Sequence, residues 1–172
     1  MFKIGDYIVY GTTGVCKVCD ITPMCMDDSG KDRDYYILEP VTANSGRIYT
    51  PTDSKKNIMR RVLSREEALE LIDHIPTLPE LAIPEERQRE YRYKEALMTC
   101  DCHQWISMIK TLYLRKRSRQ AAGKRLTEVD ERYYRKAREN LYQELSIPLE
   151  MPSSMVEDYI CERIGLKTES GL

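Results

Sequence analysis

The sequence predicts an α+β chain, with a small antiparallel β-barrel of five strands followed by an all-α region of about five helices. Up to about residue 63, short runs rich in β-branched and aromatic residues alternate with turn residues, as in short antiparallel strands. Beyond that point, apolar residues recur at helical spacing behind N-cap residues. The change of period predicts a β domain over residues 1–63 and a helical domain over residues 64–172.

Five runs account for the predicted strands. Tyr7–Tyr10 and Val15–Ile21 flank Gly11-Thr12-Thr13-Gly14, a connection whose glycines can take positive φ. Turn clusters at residues 27–32 and 43–46 separate the later runs. The remaining strands are predicted at Tyr35–Leu38, Arg47–Thr50 and Asn57–Val62. Short strands with regularly spaced turns favour a small barrel.

Each predicted helix begins at a residue suited to that position. Ser64, Asp101 and Ser154 each stand three residues before Glu or Gln, which is the spacing of a capping box. Thr127 precedes three acids that favour the first turn of a further helix. Pro84 suits the opening of a helix that runs to about residue 98. Residues 77–84 are interpreted as a linker or a packed connection.

Two helices indicate which of their faces are buried. Apolar residues at i, i+3, i+4 and i+7 form one stripe on the helix after Asp101 and place Trp105 in the core; they are Trp105, Met108, Ile109 and Leu112. In the helix after Thr127, a spacing of four predicts a buried face of Val129, Tyr133, Ala137 and Leu141. At 100° per residue, Arg132, Arg135 and Lys136 then lie on the opposite face.

The charge is unevenly distributed. The formal net charge is −1, yet residues 110–138 carry eleven bases and three acids, a net charge of 11 − 3 = +8. Such a segment indicates either a phosphate-binding surface or a solvated helix face, and both interpretations remain open here. No apolar run approaches the roughly 18 residues of a membrane span. The N-terminus does not resemble a signal peptide, so we expect a cytoplasmic protein.

The cysteines do not indicate an enzyme. Cys16 and Cys19 have C-x-x-C spacing, but on a continuous strand their side chains point to opposite faces, so one zinc ion could not accept both. Near Cys100 and Cys102, the intervening Asp101 is better explained as a helix cap. No hydrolase, phosphate-loop or zinc-protease motif is present in the sequence. We predict no enzyme activity, cofactor, metal or small-molecule substrate, and a zinc or thiol enzyme is the third alternative.

The segment FKIGDYIVYGTTGVCKVCDI, with YYILEP and GRIYTP downstream, resembles the N-terminal domain of the CarD/CdnL family of bacterial transcription regulators. The transcription-repair coupling factor shares this module. The likeness continues through SREEALELI, RYKEALMTCD and LTEVDERYYRKARENLYQEL, and covers roughly residues 1–147. It implies a Tudor-like five-strand barrel that docks on the β-subunit of RNA polymerase. It also implies a helical domain that contacts promoter DNA at the upstream edge of the melted bubble.

The resemblance also implies site residues. Tyr49 stands at the position of a polymerase-contacting arginine, Arg47 lies two residues earlier on the same face, and Met24 is near the second such arginine. Glu86 stands where the family has a tryptophan that wedges into the minor groove. Basic family positions and a longer connection between two helices complete the expected DNA-binding set of Glu86, Arg89, Arg92, Lys116, Arg117, Lys124, Arg125, Arg132, Arg135 and Lys136.

The sequence therefore predicts a CarD-like regulator that binds the RNA polymerase β-subunit through residues 1–63. Its helices are expected to contact promoter DNA, mainly through the phosphate backbone, and to modulate the stability of the open complex. It would reach the nucleoid through the polymerase. Because Glu86 replaces the family tryptophan, the alternative is a polymerase-binding adaptor without promoter-melting activity.

Overall fold

Five short strands form an antiparallel sheet in the first of two units into which the chain divides, Met1–Val62 and Leu63–Leu172. The computed structural model describes residues 1–25, 32–42 and 46–165. Its strands are β1 (Tyr7–Tyr10), β2 (Gly14–Met24), β3 (Arg33–Pro40), β4 (Ile48–Pro51) and β5 (Met59–Arg61). The sheet order is β4-β3-β2-β1-β5, which leaves β4 and β5 at the edges. The predicted antiparallel strands are confirmed, whereas closure into a barrel is not confirmed in the described residues.

The β1–β2 connection has the predicted backbone. Gly11 and Gly14 have φ values of +46° and +96°, a region that side chains disfavour. Strand β2 is longer than predicted, because Pro23 pairs with Asp34 in β3 instead of ending the strand. The other predicted turns, at residues 27–32 and 43–46, lie outside the described residues except for their last position.

One face of the sheet carries the apolar core of the first unit. Side chains alternate between the two faces of a strand, so every second residue of β1, β2 and β3 points inward. The buried members of this cluster are Ile8, Tyr10, Cys16, Val18, Tyr36 and Leu38. Phe2, Ile21, Ile48 and Met59 pack against them at its margin.

Within its described residues, the second unit contains five α-helices, as predicted. They are α1 (Arg65–His74), α2 (Arg89–Met98), α3 (Cys102–Ala121), α4 (Glu128–Ser146) and α5 (Ser153–Arg163). Ser64 forms both bonds of its capping box with Glu67. Asp101 accepts a hydrogen bond from the His103 backbone, and Thr127 accepts one from the Asp130 backbone. These three caps are confirmed.

Two predicted helix starts are wrong. Helix α5 begins at Ser153 directly after Pro152 and has no side-chain cap bond, so Ser154 already lies in its first turn. Pro84 does not open a helix, because a 3-10 turn at Glu86–Gln88 intervenes before α2 begins at Arg89.

Trp105 is fully buried, as its stripe predicts, and its indole Nε1 donates to the Leu97 carbonyl at 3.4 Å. Hydrogen bonds join the segment 77–84 to α3. The Leu81 amide donates to Thr111 Oγ1 at 2.8 Å. Lys110 Nζ donates to three carbonyls at the end of α1 and the start of this segment, those of Ile75 (3.1 Å), Pro76 (3.3 Å) and Leu78 (2.5 Å).

The buried face of α4 is rotated by about one residue from its predicted position. Val129 and Tyr133 are only half-buried, whereas Asp130 and Tyr134 are buried together with Ala137 and Leu141. The prediction was wrong at those first two positions because it assumed that only apolar side chains face the core. A carboxylate can replace one of them when cations accompany it into the interior.

Candidate functional site

Two residues of the predicted polymerase-binding set lie on the second face of the sheet, on the strands that flank β3. Met24 pairs with Arg33, and Tyr49 pairs with Ile37 four residues further along β3. Paired residues share a face and side chains alternate along a strand, so Met24, Tyr49 and the intervening Tyr35 lie on the same side. Four residues along β3, about 13 Å, and two strand spacings, about 10 Å, separate the two positions, so they lie about 16 Å apart.

Tyr49 is the accessible aromatic side chain of edge strand β4. It is 43% exposed, whereas Tyr35 and Ile37 on the same face are 6% and 9% exposed. Its neighbour Thr50 is buried on the core side. Because β4 is an edge, alternate backbone N–H and C=O groups point away from β3. This edge can therefore accept a further strand, with Tyr49 beside it as a side-chain anchor.

Arg47 lies just before β4 and is exposed, close to Cys19 and Glu39. The Cys19 thiol donates to Glu39 Oε2 at 3.3 Å. Desolvation, followed by the hydrogen bond and charge of Glu39, raises the pKa of Cys19, while Arg47 and Lys17 act in the opposite direction. The net result keeps this thiol protonated, which disfavours a nucleophilic role.

The C-x-x-C pair does not converge on a common site. Cys16 is fully buried in the sheet core, where burial raises the pKa of its thiol to about 11, and Cys19 lies outside that core. Over residues 1–25, 32–42 and 46–165, no group of three His, Cys, Asp or Glu residues is placed to hold a metal ion. In those same ranges, no helix is both long and apolar enough to cross a bilayer.

A carboxylate cluster joins three elements of the helical unit around Asp130, whose side chain is 0% exposed. Arg89 Nε lies 3.1 Å from Asp130 Oδ1, and Arg115 Nε lies 2.9 Å from Asp130 Oδ2. Burial alone would raise the pKa of Asp130. Hydrogen bonds with Thr127, Arg89 and Arg115, together with the charge of Arg115, instead hold this pKa below its ordinary value.

Glu86 belongs to the same cluster. Its carboxylate is exposed but accepts from both terminal nitrogens of Arg115, and Arg89 lies 3.4 Å away. The hydrogen bond from Arg115 is the largest influence that lowers the pKa of Glu86. Two residues of the predicted DNA-binding set, Glu86 and Arg89, are thus brought together by ion pairs within the protein.

Three more of the predicted DNA-binding arginines have acidic partners. Arg92 pairs with Glu95 at 2.9 Å, and Arg135 lies 4.0 Å from Glu139. Arg132 pairs with Glu90 at 2.9 Å, and its guanidinium lies 5.2 Å from the centre of the Tyr133 ring. All three pairs are largely exposed.

The other predicted cations lie at the end of α3, in the α3–α4 connection and on α4. Lys116 Nζ is 5.8 Å from the Tyr134 ring centre, and the Arg117 guanidinium is 5.9 Å from that of Tyr113. Lys124 and Arg125 are exposed. A groove of about 680 Å³ is lined by Lys116, Gln120, Arg125, Leu126, Glu128, Glu131, Arg132 and Arg135. Lys136 lines a neighbouring groove with Arg132 and Arg135.

Asp130 and Arg115, which organise the cluster, were not singled out as site residues from the sequence. Arg115 was counted only in the basic segment, and Asp130 only as a first-turn acid of α4. The spacing of four from Asp130 to Tyr134 indicates that the two residues share a helix face. It does not show that this face is buried, because the burial of Asp130 depends on arginines 15 and 41 residues away in the sequence.

The sequence of the first unit matches a known domain family. Residues 2–63 match the family model of the CarD-like/TRCF RID domain. The chain therefore carries a CarD-like RNA polymerase-interacting domain, which confirms the family resemblance over residues 2–63 and supports an interaction with RNA polymerase and a role in transcription regulation. This domain family is non-enzymatic. The match ends at residue 63, before the helices. No curated protein matches the chain.

Proposed function

We propose that this protein is a CarD-like transcription regulator that binds the β-subunit of RNA polymerase through edge strand β4. The observation that carries the proposal is the exposed edge of β4, with Tyr49 43% exposed, inside a domain that matches the polymerase-interacting family. We retain the Tudor-like barrel implied by the resemblance as part of this proposal.

The chemistry of the edge supports the docking mode. Backbone groups along β4 supply affinity for a partner strand without regard to its sequence, and side chains beside the edge supply specificity. A partly exposed tyrosine offers a large rigid contact surface with a hydroxyl for hydrogen bonding, as interface anchors do. Met24 extends the same face, and Arg47 adds a cation near the start of β4.

The second part of the proposal is contact between the helical unit and promoter DNA. Cations on α3, α4 and their connection would neutralise phosphates without reading sequence. The protein changes the balance between closed and open promoter complexes only to the extent that it binds one more tightly than the other. It performs no chemistry, and we place it in the cytoplasm, at the nucleoid, through its polymerase.

A charge-introducing substitution on the β4 edge tests the docking. In the full-length chain, Tyr49→Asp should weaken binding to RNA polymerase by about 30-fold, the factor that corresponds to losing roughly 2 kcal/mol at an interface anchor. Tyr91→Asp is the matched control, because Tyr91 is 65% exposed on α2. The affinities of the two variants are measured by titrating labelled protein with core polymerase and with the isolated β-subunit. Unchanged affinity of the Tyr49 variant would contradict docking at this edge.

The adaptor without promoter melting is the second candidate function, and the position of Glu86 favours it. The resemblance puts an apolar wedge at that position, whereas this chain has a carboxylate paired with Arg115. An apolar wedge is a means of holding unstacked base steps apart, and a carboxylate cannot replace it. A promoter-opening assay with saturating protein separates the two functions, because an adaptor leaves the open fraction unchanged.

A further inference from the structure

The last turns of α3 and the α3–α4 connection concentrate positive charge without any acid. Residues 116–127 contain five cations and no carboxylate, a net charge of 5 − 0 = +5. We call these five residues the cationic turn; they are Lys116, Arg117, Arg119, Lys124 and Arg125. The set includes Arg119, which the sequence-based site prediction left out.

The backbone of the cationic turn is well defined. Helix α3 ends at Ala121, and Gly123 takes a φ of +70°, which reverses the chain as is common after a helix. The Lys124 amide then donates to the Arg119 carbonyl at 2.8 Å. Arg119 Nε donates to the Arg125 carbonyl at 2.6 Å, which fastens the outgoing chain to the end of the helix. The cations are therefore held on an ordered scaffold.

The cationic turn differs in its partners from four other arginines of the helical unit. Arg89 and Arg115 are committed to buried Asp130, and Arg92 and Arg132 have carboxylate partners at 2.9 Å. Across the part of the chain that the structure describes, the five cations of the turn form no ion pair with a carboxylate. A phosphate binding to the turn would therefore not have to displace a carboxylate, since the contacts of these cations within the protein are with aromatic rings and a backbone carbonyl.

The composition of the surface favours phosphate over an acidic protein partner. Protein interfaces have apolar and aromatic anchors at their centre, and the apolar member of the groove beside the turn is half-buried Leu126. Arginine forks match the geometry of phosphate oxygens. The dipole of α3 favours cations in the last turn of the helix and so accounts for Arg119 there. It does not account for Lys124 and Arg125, because they lie beyond the end of the helix.

We infer that the cationic turn is the main DNA-phosphate contact of the helical unit, whereas Arg89 and Arg115 maintain its fold. This inference rests on the proposed function, since it names the surface that meets promoter DNA. Lys116 and Arg125 line one side of the 680 Å³ groove, and Arg132 and Arg135, which have carboxylate partners, line its α4 side. Glu128 and Glu131 line the α4 side of this groove, and therefore phosphates are favoured at the turn end.

Two full-length variants with equal charge loss test the inference. One replaces three cations of the turn, Arg117→Gln, Lys124→Gln and Arg125→Gln. The matched control replaces three paired arginines, Arg92→Gln, Arg132→Gln and Arg135→Gln. Affinity for a double-stranded promoter fragment is measured over a range of salt concentrations, and Trp105 fluorescence shows whether each variant is folded.

The turn variant should lose affinity on the order of 10²-fold at about 0.1 M salt, with a salt slope less negative by about 2 to 3, because each phosphate contact contributes about 0.9 to that slope. The control should lose less than about tenfold, because its arginines keep partners within the protein. Equal losses would overturn the inference in favour of net charge alone. Wild-type affinity in the turn variant, or tighter binding of poly-glutamate than of DNA, would also overturn it.

Failure of the inference can be separated from failure of the proposed function. If the unmodified protein binds no DNA while it still binds polymerase, the DNA half of the proposed function is wrong and the inference falls with it. If the unmodified protein binds DNA with a salt-dependent affinity and the turn variant matches it, only the inference is wrong.

Discussion

The sheet unit and the helical unit differ in the polar side chains that they bury. In the described part of the sheet unit, the buried polar residue is Thr50, and the core is otherwise apolar. The helical unit buries Ser107, Asp130, Asn140 and Glu144 among its apolar side chains. The sheet therefore depends on a repeating apolar pattern that tolerates conservative change. The helices depend on specific polar pairs, so a single substitution or a change of pH should affect them more strongly.

The largest effect is expected from Asp130→Asn. The amide keeps the shape of the carboxylate but leaves Arg89 and Arg115 without their buried counter-charge, which should lower the free energy of unfolding by about 3–5 kcal/mol. Chemical denaturation followed by Trp105 fluorescence measures this free energy for the helical unit, because Trp105 is the chain's single tryptophan and lies in that unit.

Glu131→Gln is the matched control for that experiment. Glu131 is an exposed acid on the same turn of α4, and its loss should cost no more than the roughly 0.3–1 kcal/mol of a helix-dipole interaction. Equal destabilisation by the two substitutions would show that Asp130 acts as a first-turn acid and that its burial is unimportant.

The second effect is acid sensitivity of the helical unit. Because the folded state holds the pKa of Asp130 below its ordinary value of 3.8, Asp130 contributes stability that is fully present above that pH. This contribution is lost as the pH falls from about 3.8 through the lower folded pKa. Chemical denaturation monitored by Trp105 fluorescence from about pH 6 to about pH 2 should show this loss of stability. The Asp130→Asn variant should lose less stability over the same range. Parallel curves for the two proteins would contradict this assignment.

The smallest effect is expected from Asn140→Leu. Asn140 is 1% exposed, and in the described residues neither polar atom of its side chain has a hydrogen-bond partner. Replacing this amide with an apolar group of similar size should raise the free energy of unfolding by about 1–2 kcal/mol. In the sheet unit, Asn57→Leu should have the opposite sign, because Asn57 Nδ2 donates to Tyr10 Oη at 2.8 Å. Destabilisation by both would indicate an ordered partner at Asn140.

The difference between the units also decides what the sequence could predict. Alternation and turn residues sufficed for the five strands, and the apolar stripe sufficed for Trp105. The same method misplaced the buried face of α4, because Asp130 faces the core only in the company of arginines from α2 and α3. Likewise, Pro23 and Pro84 could not be interpreted locally, since the pairing of β2 with β3 and the short turn before α2 determine their roles.

The candidate sites divide in the same way. The resemblance predicts Tyr49 and Met24 as polymerase-binding residues, and the register of the sheet puts them on one face. It could not show that Arg89 is held by Asp130, or that Lys124 and Arg125 lie on a turn without acids. Ion pairs between distant residues are set by tertiary packing, and a sequence pattern of charges does not distinguish a paired cation from an available one.

The amine of Lys110 has a consequence for chemical footprinting. Its nitrogen donates to three carbonyls where α1 gives way to segment 77–84, while the lysine at position 124 stands exposed. Lys110 is half-buried and its amine must leave those carbonyls before it can react with an acylating reagent, so it should be acylated more slowly than Lys124. The ratio of the two labelling rates would serve as a built-in gauge of local opening in the native protein.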